Sequence, residues 1–151
     1  MKHFPARILA VAPYSGMQAA MERVAQDYPN IQLDIFTGDL EDGVSIVRSH
    51  IREDYDCIIS RGGTAQLIRT STDIDIPVVE IPLSVYDMLR SMRLAENYTR
   101  EYAIVGFPSI TKVAHVLCSL LGKQVGIHTV QDADETQALL VRLQRDNCRT
   151  I

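Results

Sequence analysis

An arginine, two glycines and a threonine follow an apolar run and precede a helix-like pattern in the segment Ser60-Arg61-Gly62-Gly63-Thr64. Of all the stretches in this chain, this one is best suited to hold an anion. Consecutive glycines at a helix start let backbone N–H groups approach a ligand closely, where the helix dipole favours negative charge. Arg61 adds a planar fork matched to carboxylate or phosphate. The dipole is worth ~0.3–1 kcal/mol and a charged hydrogen bond about 1.5–3 kcal/mol. Together these give weak binding, so a sensor built on this loop needs a second surface over the ligand. Read without a ligand, the same residues are a tight turn after a strand.

Other polar and aromatic residues sit just past apolar runs in the same way. Tyr14, Ser15 and Gly16 follow the first run, Ser84, Tyr86 and Asp87 the fourth, and Gly106, Phe107, Pro108 and Ser109 the fifth. In an open parallel sheet, ligands bind beyond the carboxyl ends of the strands. The candidate ligand-binding set is therefore Ser15, Ser60, Arg61, Gly62, Gly63, Thr64, Ser84, Tyr86, Asp87, Phe107 and Ser109. Each has a structural alternative. Ser84 and Asp87 fit an S-x-x-D capping box, Ser109 can cap the following helix, and Tyr86 and Phe107 can be core residues.

Several chemistries are excluded by what stands at the decisive positions. The dinucleotide fingerprint belongs after the first strand, where the sequence "APYSGMQ" holds one glycine. No GxxxxGK[ST] motif occurs. A phospho-receiver needs carboxylates after its first and third strands, and "APYSG" and "ISRGG" supply none. His115 and Cys118 stand three apart without a further metal ligand nearby. His128 near Asp132 and Asp134 reads as a strand end followed by an acidic helix start. No nucleophile motif is present. No metal, cofactor or catalytic residue is expected.

The elements that must position these residues alternate regularly. Strand-like runs are "RILAVAP", "IQLDIF", "DCIIS", "IPVVEI", "YAIVGF" and "QVGIHTV", and an amphipathic pattern follows each. Met17, Met21, Val24 and Tyr28 mark the first helix, with Ser15 as its expected N-cap; Gly122 is the expected C-terminal cap of the fifth. Connections this short allow only parallel crossovers. The fold class is α/β, a Rossmann-like or flavodoxin-like parallel sheet with helices on both faces. The final "NCRTI" reads as the start of another strand that stops inside it, the mark of a fragment of a longer protein.

With 151 residues, 46% hydrophobic and 23% charged, the chain has the composition of a soluble globular protein. No apolar run reaches the roughly 20 residues of a membrane span, and the N-terminus reads as a strand rather than a signal peptide, so a cytoplasmic location is expected. The net charge of −4, with Lys and Arg scattered singly, argues against contact with nucleic acid or anionic lipid. Cys57, Cys118 and Cys148 form no CxxC pair and are expected to be reduced and mostly buried.

Three blocks, "IISRGGTAQLIR", "IPVVEIPLSVYDMLRSM" and "YAIVGFPSI", together resemble the N-terminal sensory domain of the propionate-catabolism activator family. The likeness is densest from about Asp56 to Ile110. These are bacterial activators that work with the sigma-54 form of RNA polymerase. The resemblance implies two Rossmann-like lobes facing a cleft, similar to periplasmic-binding folds. It also implies a small organic acid as effector, with 2-methylcitrate associated with the name-giving members, and in full-length relatives a following ATPase module and helix-turn-helix domain. The expected division is a first lobe over 1–82 and, over 83–151, a crossover helix with an incomplete second lobe. An open sheet edge near Cys148 to Ile151 invites self-association, so a homo-oligomer is expected. The functional expectation is a non-catalytic effector-sensing domain that binds a small organic anion between its lobes and controls a downstream ATPase. Two rivals stand beside it. One is a small α/β enzyme acting on a phosphorylated or carboxylated metabolite with Asp87 as base; the other is a dimerisation module that binds nothing.

Overall fold

A continuous apolar run such as Leu9-Ala10-Val11-Ala12 forms a strand that can be buried on both faces, and all four of these residues are buried. The computed structural model describes residues 5–71, 74–99, 101–148 and 150–151. Among them, strands and helices alternate along the chain. They are β1 (Ala6–Ala12), α1 (Ser15–Ala25), β2 (Ile31–Thr37), α2 (Leu40–His50), β3 (Cys57–Arg61), α3 (Gly62–Ser71), β4 (Val78–Ile81), α4 (Val85–Tyr98), β5 (Ala103–Gly106), α5 (Pro108–Leu121), β6 (Gly126–Thr129) and α6 (Ala133–Arg145). The expected alternation of strand and helix is observed, and all strand pairs are parallel.

The chain divides into two compact units, one up to Ile81 and one from Pro82 onward. The first holds a four-stranded sheet in the order β2-β1-β3-β4. Side chains alternate across its faces. Leu9, Val11 and Ile58 meet Val44 and Val47 of α2 and Ile68 of α3 in one core. On the opposite face, Ile8, Ala10 and Leu33 line one groove with Met17 and Met21 of α1. Helices thus lie on both faces, as the alternating pattern requires.

At the amino end of this sheet Arg7 ties three segments together. Its guanidinium donates to Asp34 Oδ2 and Glu53 Oε2, each at 3.3 Å, and lies 4.8 Å from the Tyr55 ring centre. The Tyr55 hydroxyl donates to the same two carboxylates at 2.9 and 3.2 Å. Burial, followed by the bond to Asp34, raises its pKa well above the usual phenol value.

The second unit pairs β5 with β6 and packs Met88 and Met92 of α4 against Ala114, Leu117 and Cys118 of α5. Gly122 takes the left-handed conformation after α5, and the Lys123 N–H returns to the Cys118 carbonyl, closing the helix as expected. At α6, Asp132 Oδ1 accepts from the Glu135 N–H at 2.7 Å while Glu135 Oε2 accepts from the Gln131 N–H at 2.8 Å. The expected extra strand in 147–151 includes Arg149, which lies outside the described residues. Of the remainder, Thr150 accepts a hydrogen bond from the Ala103 N–H at the start of β5, without forming a regular strand.

The cysteines correct one expectation. Cys118 is buried, but Cys57 and Cys148 are only half-buried; all three are free.

Candidate functional site

In the order β2-β1-β3-β4, the chain leaves β1 toward one edge and reaches β3 by crossing back, so β1 and β3 flank the topological switch point. The helices that follow these two strands lie on opposite faces, α1 on one and α3 on the other. Their starting loops therefore diverge and leave a crevice at the carboxyl end. The loop residues are Tyr14, Ser15 and Gly16 on one side and Arg61, Gly62 and Gly63 on the other.

Among the described residues, six helices begin at strand ends or the loops beyond them, and they fall into two groups. α2, α4 and α6 are closed by their own side chains. Asp39 accepts from the Leu40 N–H, Ser84 from the Tyr86 N–H and Asp132 from the Glu135 N–H. α1 and α5 have no side-chain cap, and no side chain among the described residues accepts from the first-turn N–H groups of α3. Both helices at the switch point thus present unpaired backbone donors. Ser15, the expected cap of α1, and Ser109, for which a cap was the structural alternative, are residues inside the first turn. Tyr14 and Phe107 hold the cap positions, and Pro108 occupies the first turn of α5, where its missing N–H costs nothing.

Gly62 has φ +56°, a left-handed conformation that a side chain would strain, and a Cβ there would meet nothing within 4 Å. The loop is open above this residue. The Arg61 side chain lies on the α1 face, where it lines one groove with Tyr14, Gly16 and Met17. It has no hydrogen bond or ion pair among the described residues. It is half-buried and is the only charged residue among those lining this groove.

The hydroxyls beside it are already engaged. Ser60 is fully buried, and its Oγ donates to the Val11 carbonyl at 2.8 Å, tying β3 to β1. Thr64 is 1% exposed; its Oγ1 donates to Asp39 Oδ1 at 2.8 Å and accepts from the Leu40 N–H at 3.0 Å. Leu40 is a non-glycine residue at φ +43°, held there by these two acceptors. Asp39 and Leu40 were not among the sequence candidates. They anchor the start of α3 to the start of α2, and no local pattern reveals a partner 25 residues away.

The remaining candidates belong to the second unit. Ser84 serves as the cap of α4, Tyr86 is 70% exposed, and Asp87 borders a cavity of about 260 Å³ with Leu83, Met88 and Ile104. Phe107 and Ser109 are half-buried at the uncapped start of α5. Below them Thr111 and Thr129 share a hydroxyl hydrogen bond of 2.9 Å between α5 and β6. His115 is exposed and Cys118 buried, so the two do not converge on a metal.

A parallel sheet wound on both faces, with open helix starts at its switch point, defines the class, a small α/β domain of the Rossmann-like type. Residues 28–151 match the model of the propionate catabolism activator family. The chain belongs to that family, and it is a regulatory sensor domain of a transcriptional activator of the sigma-54 type. Among solved structures it is similar to an NtrC family transcriptional regulator from Clostridium acetobutylicum. That match has a TM-score of 0.72 and 20% identity, and covers 95% of this chain and 75% of that one. It supports the fold. No curated protein matches the chain. Among the described residues, no helix is long and apolar enough to cross a membrane.

Proposed function

We propose that the first unit senses a small organic anion, held by the Arg61 guanidinium and the backbone N–H groups of Gly62 and Gly63. The observation that carries this reading is the Arg61 side chain at the switch point, unpaired among the described residues and next to a helix start that none of their side chains caps. Ser60 and Thr64 contribute by fixing the loop through their buried hydrogen bonds rather than by touching the ligand. Ser15 offers a hydroxyl at the start of α1, on the other side of the crevice. Phe107 and Ser109 mark a similar open helix start in the second unit. Ser84 acts as a cap, and Tyr86 and Asp87 stand beside it at the start of α4. In this reading the domain performs no catalysis. Its effector is a carboxylate such as a tricarboxylate, and binding alters how the domain restrains a downstream ATPase. A ligand shifts that balance only by the difference in its affinity for the two states.

Calorimetric titration of the chain with tricarboxylates, short-chain acids and acyl phosphates tests the reading. Saturable one-to-one binding of at least one class is expected, weakened by added salt as a charge-based contact requires. If heat evolves without saturation for every class, the anion site is refuted.

A further inference from the structure

The cap residue of α2 is engaged by another helix. An N-cap side chain ordinarily accepts from the second or third N–H group of its own helix. Asp39 holds the cap position of α2, yet its Oδ1 accepts from the first N–H, that of Leu40, at 3.0 Å and from the Thr64 hydroxyl of α3 at 2.8 Å. The N–H of Glu41, second in the helix, has no acceptor among the described residues. Leu40 departs from a regular helix start as well. Its φ of +43° is a left-handed conformation, unfavourable for a residue with a β-carbon. Both departures serve one contact, in which Thr64 Oγ1 donates to Asp39 and accepts from the Leu40 N–H.

That contact sets a carboxylate at the start of α3. Thr64 directly follows Gly63 and is third in the helix, so the Asp39 charge stands where the helix dipole favours an anion. An anion on the Gly62 and Gly63 N–H groups would share that end of α3 with a like charge. A second place for Asp39 exists at the unpaired Glu41 N–H, where the dipole of α2 favours it equally. The observed arrangement has one strained residue and a hydrogen bond between helices; the other has an ordinary cap. These contributions are of similar size, so the two arrangements are closely balanced. A ligand that repels Asp39 from the first has the differential affinity needed to shift the population.

We infer that Asp39 is an autoinhibitory contact of the anion loop. Without ligand its carboxylate holds the α3 start through Thr64 and keeps Leu40 left-handed. When an anion takes the Gly62 and Gly63 N–H groups, Asp39 turns to the Glu41 N–H and caps α2 in the usual manner. Leu40 then relaxes to negative φ, and the Thr64 hydroxyl turns to a carbonyl one turn back, a common partner of a helical threonine. Occupancy of the loop thereby becomes a change at the start of α2. This switch presupposes the anion reading of Gly62 and Gly63 and needs nothing from Arg61.

The test joins calorimetry with amide hydrogen exchange read by NMR. Citrate, butyrate and acetyl phosphate are titrated, and the tightest binder of the three is carried forward. That anion is expected to move protection from the Leu40 amide to the Glu41 amide. Linkage also requires affinity changes of opposite sign. Thr64→Val removes the contact that holds Asp39 and should tighten binding about fivefold. Leu40→Gly removes the left-handed penalty, favours the ligand-free arrangement and should weaken binding about fivefold. Asp39→Asn removes the charge and should tighten binding about threefold or more, beyond the effect of Glu41→Gln or Asp42→Asn in the same turn. Leu40 is half-buried and Asp39 exposed, so these two variants decide the matter if Thr64→Val does not fold. Saturable binding with unchanged amide protection overturns the switch and leaves the anion site standing. So does a shift of affinity in the same direction for Leu40→Gly and Asp39→Asn. If none of the three anions saturates, the anion reading fails and the switch with it.

Discussion

Gly43, in the first turns of α2, has no room for a methyl group. A Cβ there would lie 2.5 Å from Thr64 Cγ2, 3.1 Å from the Gly38 carbonyl and 3.2 Å from Val11 Cγ1. In an unhindered helix, Gly→Ala stabilises by about 1 kcal/mol. Here overpacking opposes it by about 1–3 kcal/mol. Thr64 cannot rotate away, since its hydroxyl is held by Asp39 and Leu40. Gly43→Ala is therefore expected to give a net destabilisation of up to about 2 kcal/mol. Thr64→Ser keeps the hydroxyl and removes the opposing methyl, at a loss of about 1 kcal/mol. In the double variant the alanine methyl occupies the space vacated by Thr64 Cγ2. The two changes should then offset each other by about 1–2 kcal/mol, within the range of contacting pairs. Urea denaturation of all four proteins, read as midpoint shifts at constant slope, measures this. Additive effects, or a Gly43→Ala chain more stable than the parent, would refute the claim that the Thr64 methyl leaves no room for a side chain at Gly43.

Three further outcomes follow from named groups. Asp132→Ala should lower stability by about 1 kcal/mol through loss of the α6 cap, while Ser15→Ala, which removes a hydroxyl that caps nothing, should change it by less than about 0.5 kcal/mol; thermal melts compare them. Hydrogen bonds from Lys123, then from Arg93, hold the Glu96 carboxyl below its ordinary value of 4.5. Its contribution is thus complete above pH 4.5 and fades as pH falls through the lower folded value. Glu96→Gln should flatten the acid limb of the stability profile in that window, and an unchanged limb would contradict the assignment. Burial raises the Cys118 thiol, so iodoacetamide should label it only in denaturant, whereas half-buried Cys148 reacts earlier; mass spectrometry of the native chain gives the order.

The alternating elements were legible because each strand is a short apolar run and each helix repeats its apolar residues every three to four positions. The α4 and α6 caps were readable for the same local reason, as was Gly122. Ser15 and Ser109 misled because a serine near a helix start resembles a cap. Pro108 shows the resolution for α5: a proline suits the first turn, which moves the cap back to Phe107. Ser60 and Thr64 looked like ligand contacts from their place beside Arg61. Their hydroxyls bind Val11, 49 residues away, and Asp39, 25 away. Such long-range pairs leave no periodic trace in the sequence. The exposure of Val79, 49%, was equally hidden, because a valine inside an apolar strand reads as buried.

Arg61 is the residue proposed to read an anion at the switch point. Titrating the parent chain, Arg61→Ala and Arg61→Lys with the best-binding carboxylate tests it most directly. Alanine is expected to cost about tenfold or more in affinity, in line with a charged hydrogen bond of about 1.5–3 kcal/mol. Lysine should recover part of it, as a point charge without the planar fork. Unchanged affinity in a folded Arg61→Ala chain would contradict the claim and leave the Gly62–Gly63 segment as a turn.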